Sequence, residues 1–220
     1  MSNPELFKEH KYLHLQNIIP KDICNIATKY ALMKQEVQFS PEQEDAQIPG
    51  THSVYGDTLM ETLMHFMHPH MEKNTGLSLF PTYAYYRVYR PGDELLRHKD
   101  RESCEISTTV CLGYKYVSNQ TGYNWGMYVD GESANDVNFT EDTKGYQSPN
   151  RAGKLCTMNP GDLVIYRGCE IEHWRDKFEV EEGSYLVQAF LHYVDANGPN
   201  ASYKFDKRPG LGYPVSSKRR

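Results

Sequence analysis

The sequence predicts a mainly β fold, a double-sheet roll of the jelly-roll kind braced by N-terminal α-helices. Three observations carry this. Apolar residues in the N-terminal part recur at helical spacing, whereas from about residue 80 the period drops to two. Many of the 17 tyrosines fall in alternating runs, which suits sheet. Proline–glycine turns at Pro91-Gly92 and Pro160-Gly161 punctuate the β region.

The elements follow in order. "KYLHLQNIIP" reads as a short first strand closed by Pro20. In "KDICNIATKYALMK" the spacing of Ile23, Ile26, Ala27 and Tyr30 predicts an amphipathic helix over Lys21–Lys34. "QEVQFSPEQEDAQIPG" is polar with two prolines and reads as a loop. A second helix is predicted in "DTLMETLMHFMHPHMEKNTG", capped by Asp57, with Leu59, Leu63, Phe66 and Met67 as its apolar face and Gly76 at its end. "PTYAYYRVYRPGD" alternates into its turn, and "CEISTTVCLGYKYV" puts Ile106, Thr108, Val110 and Leu112 on one face. "DLVIYRG" and "SYLVQAFLHYVD" are two further strands. The polar stretch from Val117 to Lys154 holds one more strand and turn in "YNWGMYVDGE"; the rest is too long for a plain connector and reads as a lid or an insertion. A chain of 220 residues suits a single domain: 1–79 as strand and helical support, 80–195 as the core with a polar insertion at 118–150, and 196–220 as a C-terminal tail.

Composition narrows the function. With 39% hydrophobic and 24% charged residues, the chain reads as globular. A net charge of −5 gives no reason to expect nucleic-acid binding. No apolar run reaches the ~20 residues of a membrane span, and the polar start does not resemble a secretory signal. The five cysteines form no CxxC pair, so reduced thiols and a cytoplasmic location are expected.

The charged stretch "LLRHKDRESCE" places His98 two residues before Asp100. Residues two apart on an extended segment project to the same side, so one segment can offer two metal ligands. A two-histidine, one-carboxylate set holds Fe(II) by one face and leaves three positions open. His173 is the best second histidine, because "PGDLVIYRGCEIEHWRD" is a turn, an apolar strand, a short bend and then the histidine. His65 and His68 lie on one helix face with no carboxylate to complete a set, and His192 sits between apolar neighbours as a core or edge residue. Arg97, Lys99 and Arg101 read as solvated charges, or as the rim of a substrate entrance.

"YYRVYRPGDELLRHKD", "ISTTVCLGY", "NPGDLVIYRGCEIEHWR" and "YLVQAFLHYV" together resemble the Fe(II)- and 2-oxoglutarate-dependent dioxygenases. The nearest likeness is to the prolyl-4-hydroxylase-like branch, in its short microbial and phage members. The resemblance covers Phe80 to Asp195 and implies a double-stranded β-helix, cupin-like core. It makes His98, Asp100 and His173 the iron ligands and implies Tyr89 and Tyr114 as contacts of 2-oxoglutarate. One departure matters. The family's basic residue after the second histidine, which pairs with the far carboxylate of 2-oxoglutarate, is absent from "EGSYLVQ". Arg175 is the first choice in its place, with Lys115, Arg167, Arg87 and Arg90 as alternatives. Trp174 and Thr108 or Thr109 are suspects for supporting the ligands.

The activity implied is hydroxylation of an unactivated C–H bond, coupled to decarboxylation of 2-oxoglutarate to succinate and CO2. Fe(II), 2-oxoglutarate and O2 would be required, with ascorbate as a stimulant. The substrate expected first is a prolyl residue in a peptide or protein; a free amino acid or other small metabolite is the alternative. Tyr123, Trp125 and Trp174 are its expected contacts. A cupin-like metal-binding protein without oxygenase activity is the rival from another class.

Overall fold

The structure, a computed structural model, describes residues 1–38, 47–117, 122–135 and 148–213. Its helices are α1 (Asn3–His10), α2 (Lys21–Gln38) and α3 (Thr58–Thr75). Its strands are β1 (Tyr12–Leu15), β2 (His52–Tyr55), β3 (Leu79–Tyr89), β4 (Leu95–His98), β5 (Ile106–Lys115), β6 (Met127–Asp130), β7 (Lys154–Cys156), β8 (Leu163–Tyr166), β9 (Glu172–Arg175) and β10 (Tyr185–Asp195). Short 3-10 turns occupy Glu102–Cys104, Gly131–Asn135 and Ala201–Lys207. A six-stranded sheet of order β1-β8-β5-β10-β3-β2 faces a four-stranded sheet of order β4-β9-β6-β7. Every pairing is antiparallel. This is a jelly-roll core with helices on the outside of the larger sheet. Among the described residues no helix is long and apolar enough to cross a membrane.

Strand alternation divides the apolar residues into two clusters. One lies between the large sheet and the helices: Ala84, Tyr86 and Val88 of β3, Ile106, Val110 and Leu112 of β5, and Val187, Ala189 and Leu191 of β10 meet Ala27 and Ala31 of α2 and Met60, Met64 and Met67 of α3. The other fills the space between the sheets and contains Tyr89, Cys111, Met127, Val129, Tyr166 and Phe190. The inward positions of β3 are therefore Tyr83, Tyr85, Arg87 and Tyr89, the set that runs out of phase with Ala84, Tyr86 and Val88.

Helix α3 is capped as expected: the Asp57 carboxylate accepts the backbone N–H groups of Leu59 and Met60 at 3.0 and 3.2 Å, and Gly76 ends the helix at φ +73°. Asp57 also accepts the Tyr30 hydroxyl of α2 at 2.6 Å, so one carboxylate joins two helices. Asp57→Ala is expected to cost about 2 kcal/mol, the upper end of an N-cap loss, because the Tyr30 hydroxyl also loses its acceptor. Urea midpoints check this; Asp57→Asn, which keeps an acceptor, is expected to lose less.

Several expectations are corrected. The N-terminal residues form α1, whose capping box of Ser2 and Glu5 precedes a strand of only four residues. Helix α2 runs on to Gln38. Both long helices are rotated relative to the expected faces: Ile26 and Phe66 are exposed, while Cys24, Ala31, Met60 and Met64 are buried. A small error in the assumed phase suffices, since each residue turns the helix by about 100°. The C-terminal segment is not a loose tail up to residue 213: Arg208 is buried against Glu61. The five cysteines are free. Of the proposed insertion, residues 118–121 and 136–147 lie outside the described residues.

Candidate metal centre

Two turns bring the ligand segments together. The first is the Pro160–Gly161 turn, which launches β8. Gly161 has φ +96°, and a Cβ there would lie 2.5 Å from the Ile19 carbonyl, so only glycine fits. The turn is tied to the N-terminal segment through Gly161 O, which accepts Ile18 N–H and Ile19 N–H, and through Asp162, which accepts Asn17 N–H at 2.8 Å. After β8 the chain reverses at 167–171, where Arg167 O accepts the N–H groups of Glu170 and Ile171. In that second turn Gly168 O accepts the Asp100 N–H at 2.8 Å, which pins the HxD segment beside the end of β8.

Strand β9 then pairs with β4 so that His173 stands directly opposite His98. Directly opposed residues share a face, and the two imidazole centroids lie 4.3 Å apart. Asp100 Oδ1 is 3.6 Å from His98 Nε2 and 3.5 Å from His173 Nε2. The donor atoms of the three side chains fall within 4.8 Å of one another.

Protonation suits a cation. His98 Nδ1 donates to Leu96 O at 2.7 Å and His173 Nδ1 to Ile171 O at 3.2 Å. A carbonyl can only accept, so Nδ1 carries a proton in each ring, and each Nε2 is turned toward the Asp100 carboxylate. Burial, with His173 alongside, pushes the His98 imidazole down to about 4. Burial works to raise the Asp100 carboxyl, but His173 and His98 outweigh it and hold the group well below the usual carboxylate range. A neutral imidazole at His98 and an ionised carboxylate at Asp100 are forms a metal needs.

These three side chains line a cavity of about 180 Å³ between the sheets. The strand register orders its walls in layers. His192 stands opposite Ser107, next to Tyr166 of β8, at the level of Asp100. Phe190 lies between Thr109 and Tyr85 one layer deeper, and Gln188 between Cys111 and Arg87 below that. Tyr89 follows, opposite Leu186. Arg87 is 2% exposed, lines the cavity, and donates to Tyr89 Oη at 3.1 Å and Gln47 Oε1 at 3.0 Å.

The other residues expected at the site are distributed differently. Arg175 shares the inward face of β9 with His173 but lies deeper, 1% exposed, donating to Trp125 O at 2.6 Å and Gln188 Oε1 at 2.9 Å. Its Nε has no partner among the described residues, and burial lowers its pKa from the ordinary arginine value. Arg87 and Arg175 both sit within 6 Å of the Tyr89 ring, at 5.3 and 5.8 Å. Tyr114 is not brought to the cavity: it is at the far end of β5, stacked on Tyr116, with its hydroxyl on Asn159. Trp125 is packed on Phe178 with its indole N–H on Asp176 O, and Tyr123 packs edge-on to Tyr116. Trp174, adjacent to His173 on β9, projects to the opposite face, where it stacks on Tyr128 under the Arg97 guanidinium at 3.3 Å. Of the two threonines, Thr109 faces inward and meets the Tyr166 hydroxyl at 3.3 Å, whereas Thr108 Oγ1 has no partner among the described residues.

The basic neighbours of the HxD motif are not the solvated charges expected. Arg97 is ion-paired with buried Glu172 at 2.9 Å. Lys99 lies between two residues that face the cavity, so its side chain takes the other side; it is fully buried and donates to Ser133 O at 2.8 Å. Arg101 does reach the cavity, but both its terminal nitrogens are held by Asp206 at 2.9 Å. Sequence reasoning missed Tyr83, Tyr85, Tyr166 and His192 as cavity walls. Alternation in "PTYAYYRVYRPGD" carries the signal for the first two; His192, between apolar neighbours, reads as a core or edge residue.

No family model matches the chain, and no curated protein matches it. Solved structures do. A Pseudomonas putida prolyl-4-hydroxylase is 15% identical over 86% of this chain and 96% of its own, with a TM-score of 0.59. The epimerase SnoN, in complex with Fe3+, alpha ketoglutarate and nogalamycin RO, is 14% identical over 96% of this chain and 90% of its own, at 0.69. EctD from S. alaskensis, with 2-oxoglutarate and 5-hydroxyectoine, is 15% identical over 88% of this chain and 75% of its own, at 0.61. At such identities the likeness is one of fold: this chain has the double-sheet core these enzymes share.

Proposed function

We propose that this chain is an Fe(II)- and 2-oxoglutarate-dependent oxygenase that hydroxylates an unactivated C–H bond. The observation that carries the reading is the convergence of His98, Asp100 and His173, with both Nε2 atoms turned to the Asp100 carboxylate, at one end of a cavity lined by a buried arginine. Iron held there would supply the O2 chemistry, with 2-oxoglutarate leaving as succinate and CO2 and the substrate gaining a hydroxyl group. The fold neighbours that carry iron or 2-oxoglutarate support the choice of cofactor.

The chain's own residues divide the remaining work. His98, Asp100 and His173 hold the metal on one side. Arg87 anchors the far carboxylate of 2-oxoglutarate, since it lines the same cavity two layers below the ligands and its fork suits a carboxylate. Its bond to Tyr89 makes that tyrosine a partner in the anchor. Arg175, first choice on spacing, is better suited to a supporting role behind the Tyr89 ring, because Arg87 and not Arg175 lines the cavity shared with His98, Asp100 and His173. Leu95, Met127, Tyr166 and Phe190 exclude water around the reacting atoms. Removing one partner of a buried charge pair costs about 2 kcal/mol or more. Arg87→Met is therefore expected to raise the KM for 2-oxoglutarate by roughly 30-fold or more, with Arg175→Met changing it less. Steady-state titration of 2-oxoglutarate in both variants checks the assignment.

For the substrate, we propose a small group offered to the Tyr83, Tyr85 and Phe190 wall, a prolyl residue of a peptide being the first candidate. The small volume, about 180 Å³ shared with the cosubstrate, equally suits a free amino acid or other small metabolite. The test is incubation of the iron-loaded protein with 2-oxoglutarate, air and a library of proline-containing peptides and metabolites, read by mass spectrometry for gain of one oxygen and by succinate. Succinate without any oxygenated product would leave the class standing and remove these substrates. No succinate under any condition would favour the metal-binding, non-oxygenase reading.

A further inference from the structure

The carboxylate of Asp100 is held on two sides, and only one side is the metal's. Its Oδ1 faces His98 and His173. Its Oδ2 lies 3.2 Å from the Ser107 hydroxyl, which also touches Cys104 O at 2.9 Å and His192 Nδ1 at 2.8 Å. Behind them Gly168 closes the slot: a Cβ on that residue would stand 2.4 Å from Asp100 Oδ2 and 3.0 Å from Ser107 Oγ.

Proton counting sets the direction of these bonds. Ser107 has one proton, and the Asp100 and Cys104 oxygens can only accept. If the hydroxyl gave its proton to His192, both of those oxygens would face a hydroxyl with nothing to donate. His192 Nδ1 therefore donates to Ser107, and the serine proton is directed at the oxygens, Asp100 Oδ2 among them. Serine, histidine and aspartate are also the components of a hydrolytic triad, but here the carboxylate bonds the serine rather than the histidine, and Ser107 is fully buried. The arrangement cannot present a nucleophile.

We propose that Ser107, oriented by His192, is a positioning residue that keeps Asp100 a one-oxygen ligand and so preserves the open coordination positions. This rests on the oxygenase reading above. A two-histidine, one-carboxylate site leaves three positions only if the carboxylate gives one oxygen. An anionic oxygen buried without a donor is costly, so without Ser107 the free Oδ2 turns toward the metal and fills a position the cosubstrate requires.

The test uses the whole protein loaded with Co(II) alone under anaerobic conditions and then titrated with 2-oxoglutarate. Co(II) ligand-field bands report the ligand set without turnover. Ser107→Ala is expected to retain Co(II), to show bands shifted by a second carboxylate oxygen in place of a solvent ligand, and to need about 10- to 100-fold more 2-oxoglutarate for the spectral change, the range of lost ligand-supporting contacts. Ser107→Thr, which keeps the hydroxyl, is expected to restore the wild-type spectrum. His192→Leu removes the donor to Ser107 while keeping an apolar side chain beside Tyr83 at the cavity wall, and is expected to shift both readouts the same way; it carries the test should Ser107→Ala not fold. Wild-type spectra and affinity in Ser107→Ala or His192→Leu would overturn the proposal, as would a threonine variant as defective as alanine. A wild-type protein that binds neither Co(II) nor 2-oxoglutarate would overturn the oxygenase reading itself.

Discussion

Asp100→Asn and His173→Ala are each expected to abolish metal binding and bring succinate formation down to the metal-free background. Asp100 supplies the only carboxylate of the set, and its Oδ1 is the point at which both histidine Nε2 atoms meet. Asparagine preserves shape and loses charge, so it separates the electrostatic role from packing. Loss of a directly ligating group is expected to exceed the about 10- to 100-fold cost of losing a supporting contact. The fold is expected to survive, because these side chains line a cavity rather than fill either apolar cluster. A ligand at 100 times its Kd stabilises the folded state by about 2.7 kcal/mol. Wild-type protein should therefore gain melting temperature on addition of Mn(II) or Fe(II), and the two variants should not. Isothermal titration and thermal melts with and without metal check both halves.

Breaking the ion pair between Glu61 and Arg208 is expected to destabilise the protein by about 3–5 kcal/mol, the cost of leaving one buried charge alone. The side chains are 2% and 4% exposed, and Arg208 donates further to Thr82 O at 3.0 Å and Tyr213 O at 2.7 Å. Glu61 in turn accepts the Gly212 N–H, so α3 and the C-terminal segment close on one charge pair. The same segment carries left-handed backbone at Phe205, Asp206 and Lys207, with φ of +55°, +52° and +61°. Such residues cost about 1 kcal/mol or more each unless the surroundings hold them. Arg208 holds them from one side and the Asp206–Arg101 pair from the other. Arg208→Met is thus expected to lower the urea midpoint and also to loosen Arg101 at the cavity wall. A variant with an unchanged midpoint would show the pair to be dispensable.

What could be read from the sequence was what local periodicity controls. The period-two runs located β3, β5, β8 and β10, and Asp57 and Gly76 marked the ends of α3. The pairing of His98 with His173 was within reach because HxD and the turn–strand–histidine module each have a short internal geometry. Depth in the roll was not legible. Arg87 and Arg175 both face inward, and only the register of β3 on β10 and of β9 on β4 shows which one shares the cavity of His98, Asp100 and His173. Helix faces were misjudged at Ile26 and Phe66 because the sheet that sets the rotation of each helix is built from strands far along the chain. Lys99 and Arg97 looked solvated because nothing near them in sequence announces Ser133 or Glu172 as partners. The Ser107–His192 pair was hidden for a related reason: each residue looks like a core position in a strand until the register sets them opposite one another.

The most direct measurement is an anaerobic titration of the purified protein with Fe(II) and then 2-oxoglutarate, followed in the visible region. A weak charge-transfer band that grows with 2-oxoglutarate to one equivalent per chain, and that disappears in Asp100→Asn, is the expected result. A protein that binds Fe(II) yet gives no band and forms no succinate when O2 is admitted would contradict the account.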